Sequence, residues 1–350
     1  MTPHPRVLGV DASADSDVVI SEVDPLDPAK EPVLHAMWDV SAAARADRPF
    51  EVWAPWTTAY ATWTTVRDDQ DDVMWAATVD GVVVGMAGLG MPHVDNQHVA
   101  ATELFVHPDH RRRGIGAALL SAVVDRSHAG GRTVLMTSPY SPVDRPGAGE
   151  EFLTAHGFEL GIAEMSRVCD LVESEPTWPA LAAQIAPEHA GYRLEAWQDR
   201  IPAPFVEGYC RLGEAFNDEA PLGDLDLGAE VWSAERVAER DARFLATGRR
   251  QFGVLAYAAD GTCVATTELF VNQVASWRAL QGGTLVLPGH RGHRLGLALK
   301  LVNLRAVRER YPDCRYVFTV VAGVNAPMNA VNDLLGFRDV ERALEMQRRL

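Results

Sequence analysis

The segment HRRRGIGA, residues 110–117, places three arginines and two glycines between a strand-like stretch at 102–106 and a helix-like stretch from Ala117. The first backbone N–H groups of a helix have no partner inside the helix, and the helix dipole adds positive potential there. Glycines let an anion approach the backbone, and arginines supply charge and fork-shaped donors. A strand, an Arg/Gly turn and a helix in this order predict a phosphate-binding turn.

The composition of the whole chain limits the classes of partner. With 48 acidic and 32 basic residues, the formal net charge is −16, which argues against nucleic acid and anionic membranes as partners. No apolar run reaches the roughly 18 residues of a membrane span, and the N-terminal segment lacks a signal-peptide core. The four cysteines are widely spaced and form no zinc-binding or disulfide pattern. These features predict a cytoplasmic protein with reduced thiols and no metal.

The chain contains two similar halves. The motif at 110–116 has a counterpart 180 residues later, HRGHRLG at 290–296, and the triplet HGF at 156–158 matches LGF at 335–337. Two landmarks at nearly one spacing indicate a tandem duplication rather than a short-period repeat, and 350 residues exceed what one core normally organises. We therefore predict an N-terminal domain at 1–173, a proline-containing linker at 174–191 and a C-terminal domain at 192–350.

One further likeness does not follow this spacing. The sequence ATELFV at 101–106 resembles TTELFV at 266–271, but these segments are 165 residues apart. At the spacing of 180, residues 266–271 correspond to 86–91, which belong to an earlier predicted strand. Glu268 is therefore not expected to be the counterpart of Glu103.

Hydrophobic periodicity and turn residues predict the elements that hold the motif. The acidic run at 68–72 reads as a solvated loop, and Asp80-Gly81 as the turn of a hairpin. We expect strand 165–171 to close the first half, and the second half to repeat the same order. The predicted helices are 32–48, 55–67, 150–155 and, in the linker, 180–185, and the other predicted strands are 18–23, 73–79, 82–89, 133–137 and 316–320.

Residues 106–120 resemble the acyl-CoA-binding signature of the GCN5-related N-acetyltransferase (GNAT) superfamily. In that signature Arg or Gln is followed by two residues of any type, then Gly, one residue of any type, and Gly or Ala. Arg111, Gly114 and Gly116 fit that signature, and the resemblance extends over most of both halves. It implies an α/β fold of two tandem GNAT-like domains of an actinobacterial type. Each is a mixed, mostly antiparallel sheet flanked by helices and splayed between its fourth and fifth strands. It also implies acetyl-CoA as cosubstrate and direct transfer, with no acyl-enzyme and no metal.

The same resemblance implies a role for each site residue. The β-strand before the turn should hold the pantetheine arm, with the Val106 N–H polarising the thioester carbonyl. Glu103 is the candidate base, the alternative being a surface or salt-bridged glutamate. Tyr140 is the candidate acid because it is the nearest tyrosine after the predicted fifth strand. The alternative is a packing tyrosine in a loop, with the thiolate taking its proton from solvent or from the attacking ammonium. The predicted cofactor-binding residues are Leu104, Phe105, Val106, Arg111, Arg112, Arg113, Gly114, Ile115, Gly116 and Ala117.

The two halves depart from the family pattern differently. Arg294 stands where the first half has Gly114, and a side chain there should crowd a pyrophosphate unless the turn is reshaped. The family's asparagine after the fifth strand is present only in the second half, as Asn325. Leu153 and Asn332 occupy the positions of the family's usual acid tyrosine. We therefore expect the first half to bind acetyl-CoA and the second to support structure and enclose the substrate.

The sequence leaves the acceptor open. An aromatic group with helical spacing is expected to belong to the core or, in part, to line the acceptor channel. Asp95 and Glu51 are candidates to hold a cationic amine, and an acidic group in the second half is either a similar site or a solvated loop. The aromatic group is Trp53, Trp56, Tyr60 and Trp63, and the acidic group is Asp218, Glu219, Asp224 and Asp226.

The leading interpretation is an N-acetyltransferase that acts on a primary amine of a small, possibly cationic molecule. The alternatives are acylation of a protein or peptide amine, O-acylation, and an acyl-CoA-binding sensor or scaffold without catalysis. No nucleic-acid or membrane partner is expected, and the chain is expected to be a monomer or homodimer.

Overall fold

The computed structural model describes residues 18–48, 50 and 54–350. Within them, none of the helices is long and apolar enough to cross a membrane. The strands are β1 (Val19–Val23), β2 (Gln70–Val79), β3 (Val82–Pro92), β4 (Val99–Val106), β5 (Val134–Thr137), β6 (Tyr140–Ser141), β7 (Glu159–Asp170), β8 (Arg193–Gln198), β9 (Arg249–Tyr257), β10 (Cys263–Asn272), β11 (Arg278–Val286), β12 (Tyr316–Ala322) and β13 (Arg338–Arg349). The α-helices are α1 (Glu31–Ala44), α2 (Trp56–Trp63), α3 (Ile115–Ala129), α4 (Ala148–Ala155), α5 (Leu171–Ser174), α6 (Trp178–Ile185), α7 (Ala203–Glu219), α8 (Ala234–Ala246), α9 (Leu295–Arg310) and α10 (Ala326–Leu334).

The strands form one continuous mixed sheet in the order β1-β2-β3-β4-β5-β13-β7-β12-β11-β10-β9-β8, with β6 beside β13. The pairings are antiparallel except β4 with β5 and β11 with β12. Both parallel pairs are short, since β4 pairs with β5 at Val99–Ala101 and β11 with β12 at 278–280. Beyond these points the strands of each pair separate, which gives each half the splayed sheet that the sequence predicted.

The last strand of each half completes the sheet of the other half. β7 pairs with β12, and β13 pairs with β5, while β7 and β13 pair with each other at the centre. The expectation that strand 165–171 closes the first half is therefore wrong. A spacing of 180 residues identifies equivalent strands, but it does not say which neighbour each strand takes. The division into residues 1–173, 174–191 and 192–350 remains a prediction of where the two repeats lie along the sequence. It does not describe how the strands are shared in the sheet.

Helices cover both sides of the sheet, and the two sides have different roles. The core under α3 contains Leu119 and Val123 of that helix together with Leu344 and Met346 of β13. On the opposite side, Met37 of α1 packs on Met74, Met86 and Phe105. We call these two sides the α3 face and the α1 face. Side chains alternate along a strand, so Glu103 leaves β4 on the α1 face.

Two predicted elements near the site differ in detail, and the expectation about Glu268 is confirmed. The acidic run is not wholly a loop, because β2 begins at Gln70 and includes Asp71 and Asp72. Helix α3 begins at Ile115, two residues before the predicted start. Glu268 lies on β10, which pairs with β9 and β11 as β3 pairs with β2 and β4. The pairing confirms that Glu268 is not the counterpart of Glu103.

Candidate active site

The Arg/Gly turn has the backbone of an anion-binding site. Gly114 caps α3 with a left-handed backbone, φ 80°, and a Cβ built there meets no atom within 4 Å. The N–H of Ala118 donates to the Gly114 carbonyl at 3.0 Å, so the N–H groups of residues 115–117 precede the first helical bond. The space beside Gly114 is open, and these N–H donors form the N-terminus of α3. The turn therefore fits the pyrophosphate of acetyl-CoA.

The three arginines of the turn have different environments. Arg111 donates from Nε to the Val106 carbonyl at 3.3 Å and from Nη2 to the Ala44 carbonyl at 3.2 Å, which ties the turn to the ends of β4 and α1. Arg112 and Arg113 are exposed and make no hydrogen bond or ion pair within the described part of the chain. Their charges are therefore available to an anion, whereas the Arg111 side chain holds the turn in shape. Sequence reasoning missed this role of Arg111.

Gly116 is required by helix packing. A Cβ at this position would lie 3.2 Å from Cε2 of Phe152 on α4 and 3.8 Å from a Val106 methyl. Contacts this short leave little room for any side chain. Of the two glycines that the sequence assigned to the anion, only Gly114 opens space beside the turn.

Glu103 lies just beyond the point where β4 separates from β5, as do the predicted pantetheine residues 104–106. Burial raises the pKa of Glu103 to about 7, and the charge of Arg45 on α1 opposes the rise. Within the described residues Glu103 makes neither a hydrogen bond nor an ion pair. A partly buried carboxyl with a pKa near neutrality and no partner is neither the surface glutamate nor the salt-bridged one of the alternative reading.

Tyr140 lies on the same face of the sheet as Glu103. It pairs with Ala343 of β13, and the Arg48 guanidinium lies 3.6 Å from the centre of its ring. Arg48 is itself held by Glu341 at 2.6 Å. Burial raises the pKa of Tyr140, so the phenol keeps its proton at neutral pH and can donate it.

The residues that the sequence suggested for binding the acceptor are engaged elsewhere in the structure or lie outside the described residues. Glu51 and Trp53 lie outside the described residues. Asp95 binds Arg236 and accepts the Val231 N–H at 3.2 Å, so it joins the two halves and is not available to an amine. The rings of Trp56, Tyr60 and Trp63 pack together in the core beneath α1.

The acidic group of the second half is also partly engaged. Glu219 binds Arg291 at 2.6 Å, and Asp226 binds His98 at 3.2 Å. Arg349 also lies 3.7 Å from Asp226, and the segment that carries Asp226 lies against the first half, where Leu225 and Leu227 pack on Val99 and Val134. These contacts favour a structural role over the amine site that the sequence offered as one alternative.

The second half keeps the shape of the turn but changes its surroundings. Arg294 has φ 55°, left-handed like Gly114, so the turn is not reshaped, which was the one condition under which the sequence left room for a pyrophosphate. Its side chain instead faces Glu188, with Nε 3.5 Å from Oε2. Asn325 caps α10 by accepting the Met328 N–H at 3.3 Å.

A closed polar network occupies the α1 face of the second half. Glu268 accepts hydrogen bonds from Tyr209 at 2.7 Å and Gln251 at 2.6 Å, and Arg240 lies 3.5 Å away. Its side chain lies beside Gly282 of β11, much as Glu103 lies beside Gly88 of β3. The carboxylate lies on β4 in the first half and on β10 in the second, and the glycine lies on the neighbouring strand in each case. Of the two carboxylates, Glu103 is the one with no hydrogen bond or ion pair to the described residues.

Comparison with known proteins gives this arrangement a family. The model of the acetyltransferase (GNAT) family matches residues 33–139. The mycothiol acetyltransferase of Saccharomonospora viridis is 31% identical over 264 residues, covering 72% of this chain and 77% of the relative. That of Amycolatopsis mediterranei is 30% identical, covering 75% and 79%. The chain belongs to the GCN5-related N-acetyltransferase superfamily and is an N-acetyltransferase.

The solved structures identify its tandem form. A tandem GNAT protein from the clavulanic acid biosynthesis pathway superposes with a TM-score of 0.78 at 25% identity, covering 95% of this chain and 98% of the other. A GCN5-related N-acetyltransferase from Sphaerobacter thermophilus shares the fold with a TM-score of 0.64 at 17% identity, covering 95% of each chain. Acetyl-CoA is the cosubstrate of the family.

Proposed function

We propose that the first half transfers an acetyl group from acetyl-CoA directly to a primary amine of a small molecule. The observation that carries this proposal is Glu103, a partly buried carboxyl at the point where β4 and β5 separate, with no hydrogen bond or ion pair to any residue that the structure describes. The second half supports the fold and encloses the site. In the second half, Glu268 on β10 accepts two hydrogen bonds and pairs with Arg240, which is why we assign the chemistry to the first half.

Acetyl-CoA, when bound, supplies the activated acetyl thioester. We assign its pyrophosphate to the N-terminus of α3, with charge from Arg112 and Arg113, and its pantetheine arm to the open edge of β4 at residues 104–106. The Val106 N–H is our candidate to polarise the thioester carbonyl. A β4 edge without a neighbouring strand beyond Ala101 supports this placement.

Transfer requires a neutral amine and a protonated leaving thiol. Glu103, ionised above a pH of about 7, takes the proton of the acceptor ammonium, directly or through water. The amine nitrogen then forms its bond to the acetyl carbon as the carbon–sulfur bond breaks. Tyr140 is our candidate donor to the thiolate, because the raised pKa of its phenol keeps the proton in place until then.

A small acceptor is favoured over a protein by the cover on the α1 face. The segment between α7 and α8 crosses from the second half onto the first. It is tied there by the Asp226–His98 pair and by the Gly228 N–H donating to Asn96 at 2.7 Å. Such a cover narrows the approach that an extended peptide would need. The relatives, named for mycothiol, also favour a small molecule.

The test is release of free thiol from acetyl-CoA by the full-length chain across a panel of amines, amino sugars, peptides and alcohols. We expect turnover with small primary amines and its loss in the Glu103→Gln variant. Binding of acetyl-CoA without turnover on any acceptor would instead identify a sensor. Turnover confined to peptides or to alcohols would favour the other two acyltransferase readings.

A further inference from the structure

Two carboxylates lie side by side where the last strands of the two halves meet. Glu164 on β7 is opposite Ala343 of β13, and Glu345 on β13 is opposite Ile162 of β7. They are diagonal neighbours on one face, with Cα atoms about 7–8 Å apart for such a pair. Tyr140 also pairs with Ala343, so both carboxylates share the α1 face with the candidate active site.

Neither carboxylate has a basic partner among the described residues. Glu345 accepts a hydrogen bond from the Ser138 hydroxyl at 2.7 Å. Burial, and then the negative charge of Glu345, raise the pKa of Glu164 to about 7. On the same strand Glu341 is neutralised by Arg48. Two partly buried like charges are unfavourable without a cation, so the contrast within β13 indicates a site suited to a positively charged group.

A buried hydroxyl gives a second, independent indication. Ser166 follows Glu164 by two residues on β7, so its side chain leaves the sheet on the same face. The residue is completely buried, and its Oγ has no hydrogen-bond partner. Buried polar atoms nearly always have one, and a hydroxyl can accept a hydrogen bond from a cationic donor.

The distance to the first-half site can be read from the sheet. Ala101 of β4 is level with Met136 of β5, and Thr137 of β5 is level with Met346 of β13. Glu103 and Glu345 are therefore at about the same level, on strands that flank β5. Two strand spacings give about 10 Å as a lower limit for their separation, because β4 and β5 diverge beyond Ala101. A flexible molecule with two basic nitrogens and a chain of about five carbons between them spans a gap of this order.

We propose that the acceptor carries a second cationic group, an ammonium or guanidinium, which binds between Glu164 and Glu345 while the reacting amine lies at Glu103. This inference rests on the proposed function of the first half and names its substrate class. Glu164 and Glu345 are positioning residues, because they hold the distal end of the acceptor and do not touch the reacting atoms. β7 comes from the first half of the chain and β13 from the second, so the subsite exists only where the two halves are joined in one chain.

The first test compares acceptors that differ only at the distal end. Full-length protein with acetyl-CoA is assayed with cadaverine, pentylamine, aminopentanol and aminopentanoate. We expect kcat/KM for cadaverine to exceed that for aminopentanol by at least about tenfold, the value of one charge-assisted hydrogen bond, with aminopentanoate the poorest. If all four are acetylated equally well, the proposed function stands and the cationic subsite is wrong.

The second test assigns the preference to the two carboxylates. In Glu164→Gln and Glu345→Gln we expect KM for cadaverine to rise with little change in kcat, and KM for pentylamine to stay unchanged. Glu159→Gln is the matched control, since Glu159 lies on β7 but is exposed. Retention of the full cadaverine preference in both variants contradicts the proposal. Their folding is checked by thermal unfolding.

Calorimetry keeps the subsite testable if no amine is acetylated. Cadaverine is titrated into the protein at pH 7 in two buffers of different ionisation enthalpy. We expect binding with proton release, because a cation favours the ionised form of Glu164, and loss of binding in Glu345→Gln. That result without turnover would overturn the proposed catalysis while supporting the subsite. No binding by the wild-type protein would overturn the subsite.

Discussion

At the scale of single residues, the site depends on which buried charges have partners. Glu103 and Glu268 are both buried acids beside a strand glycine, yet Glu268 has three donors and Glu103 has none within the described residues. Desolvation without compensation raises a carboxyl pKa toward neutrality, which is where a general base operates best. Both residues are glutamates, so only their surroundings distinguish the candidate base Glu103 from the structural carboxylate Glu268.

The first prediction concerns the base. Wild-type kcat/KM should rise with pH to a plateau above about 7, as Glu103 loses its proton. In Glu103→Gln we expect that limb to disappear and kcat to fall by about 10²- to 10⁴-fold, the usual value of general-base catalysis. Glu22→Gln, an exposed position on β1, is the control. An unchanged pH profile would remove Glu103 as the base.

Stability offers a check on the same residue with a defined sign. The pKa of Glu103 is higher in the folded protein than its ordinary value of 4.5. The folded state therefore holds this proton more tightly, and stability is lost as the pH rises through this interval. Glu103→Gln should leave Tm nearly unchanged at pH 4 and raise it at pH 8. A lower Tm at pH 8 would show that the carboxylate has a stabilising partner.

A second prediction concerns Lys300, which is 2% exposed and donates to Asn332 at 2.7 Å. The corresponding residues of the first half are Leu120 and Leu153, both in its core. Burial lowers the pKa of Lys300 to about 7, so the folded state gives up a proton that the unfolded chain keeps. The buried ammonium of Lys300 therefore lowers the stability of the fold fully below pH 7, and this destabilisation declines as the pH rises toward 10.5.

The double variant Lys300→Leu/Asn332→Leu copies the first half. We expect it to be more stable than the wild type by about 1–4 kcal/mol at pH 7, and by less at pH 10. Asn332→Leu alone should be destabilised, since it removes the one hydrogen bond of the buried ammonium. Urea unfolding at both pH values measures the difference. A double variant less stable than wild type at pH 7 contradicts the argument.

At the scale of elements, equivalent turns in the two halves show what the motif demands. Both turns place a residue with a left-handed backbone before the helix that follows, Gly114 before α3 and Arg294 before α9. Arg111 and Arg291 both donate Nε to the carbonyl at the end of the preceding strand, Val106 or Val286. The signature arginine thus holds the strand, turn and helix together, and the open space beside Gly114 admits the ligand.

The third prediction tests that space. Gly114→Val should weaken acetyl-CoA binding by about 10- to 100-fold, because the side chain enters the open region beside the helix N-terminus. The control is Gly131→Val. Gly131 follows the other end of α3, with φ 72° and no atom within 4 Å of a Cβ, so it suffers the same backbone strain. Equal affinities of the two variants, measured by calorimetry, would contradict the assignment.

At the scale of the whole molecule, the halves are joined by exchanged strands and exchanged segments. β13 supplies Leu344 and Met346 to the core under α3. The segment before α8 crosses to the first half, where Arg236 binds Asp95. The stability of the first-half site therefore depends on residues more than 200 positions away in the chain. Because each half contributes a strand to the sheet of the other, we expect the chain to unfold as one cooperative unit rather than as two independent domains.

The fourth prediction follows from the strand exchange. Leu344→Ala should cost about 2–5 kcal/mol through the cavity it leaves. It should also accelerate amide exchange in β5 and α3 of the first half and weaken acetyl-CoA binding there. Leu304→Ala, in the core of the second half, is a control of similar size. If each half closed its own sheet, Leu344→Ala would instead perturb the second half, as Leu304→Ala does, and would leave β5 and α3 unaffected.

The sequence by itself determined the family, the duplication and the position of the anion-binding turn. These are local features, set by residue types at fixed spacing along a strand, a turn and a helix. It also predicted the splayed mixed sheet and named Glu103 and Tyr140, although the spacing could not say that Arg111 braces the turn or that Asp95 joins the halves.

Only the tertiary structure decided the partners of each residue. Strand exchange, the unpartnered state of Glu103, the closed network at Glu268 and the juxtaposition of Glu164 with Glu345 all depend on contacts between distant segments. The two last strands have equivalent positions in the repeat, so the sequence pattern permits either pairing. The free energies of desolvation and charge that define the site arise only when those segments meet.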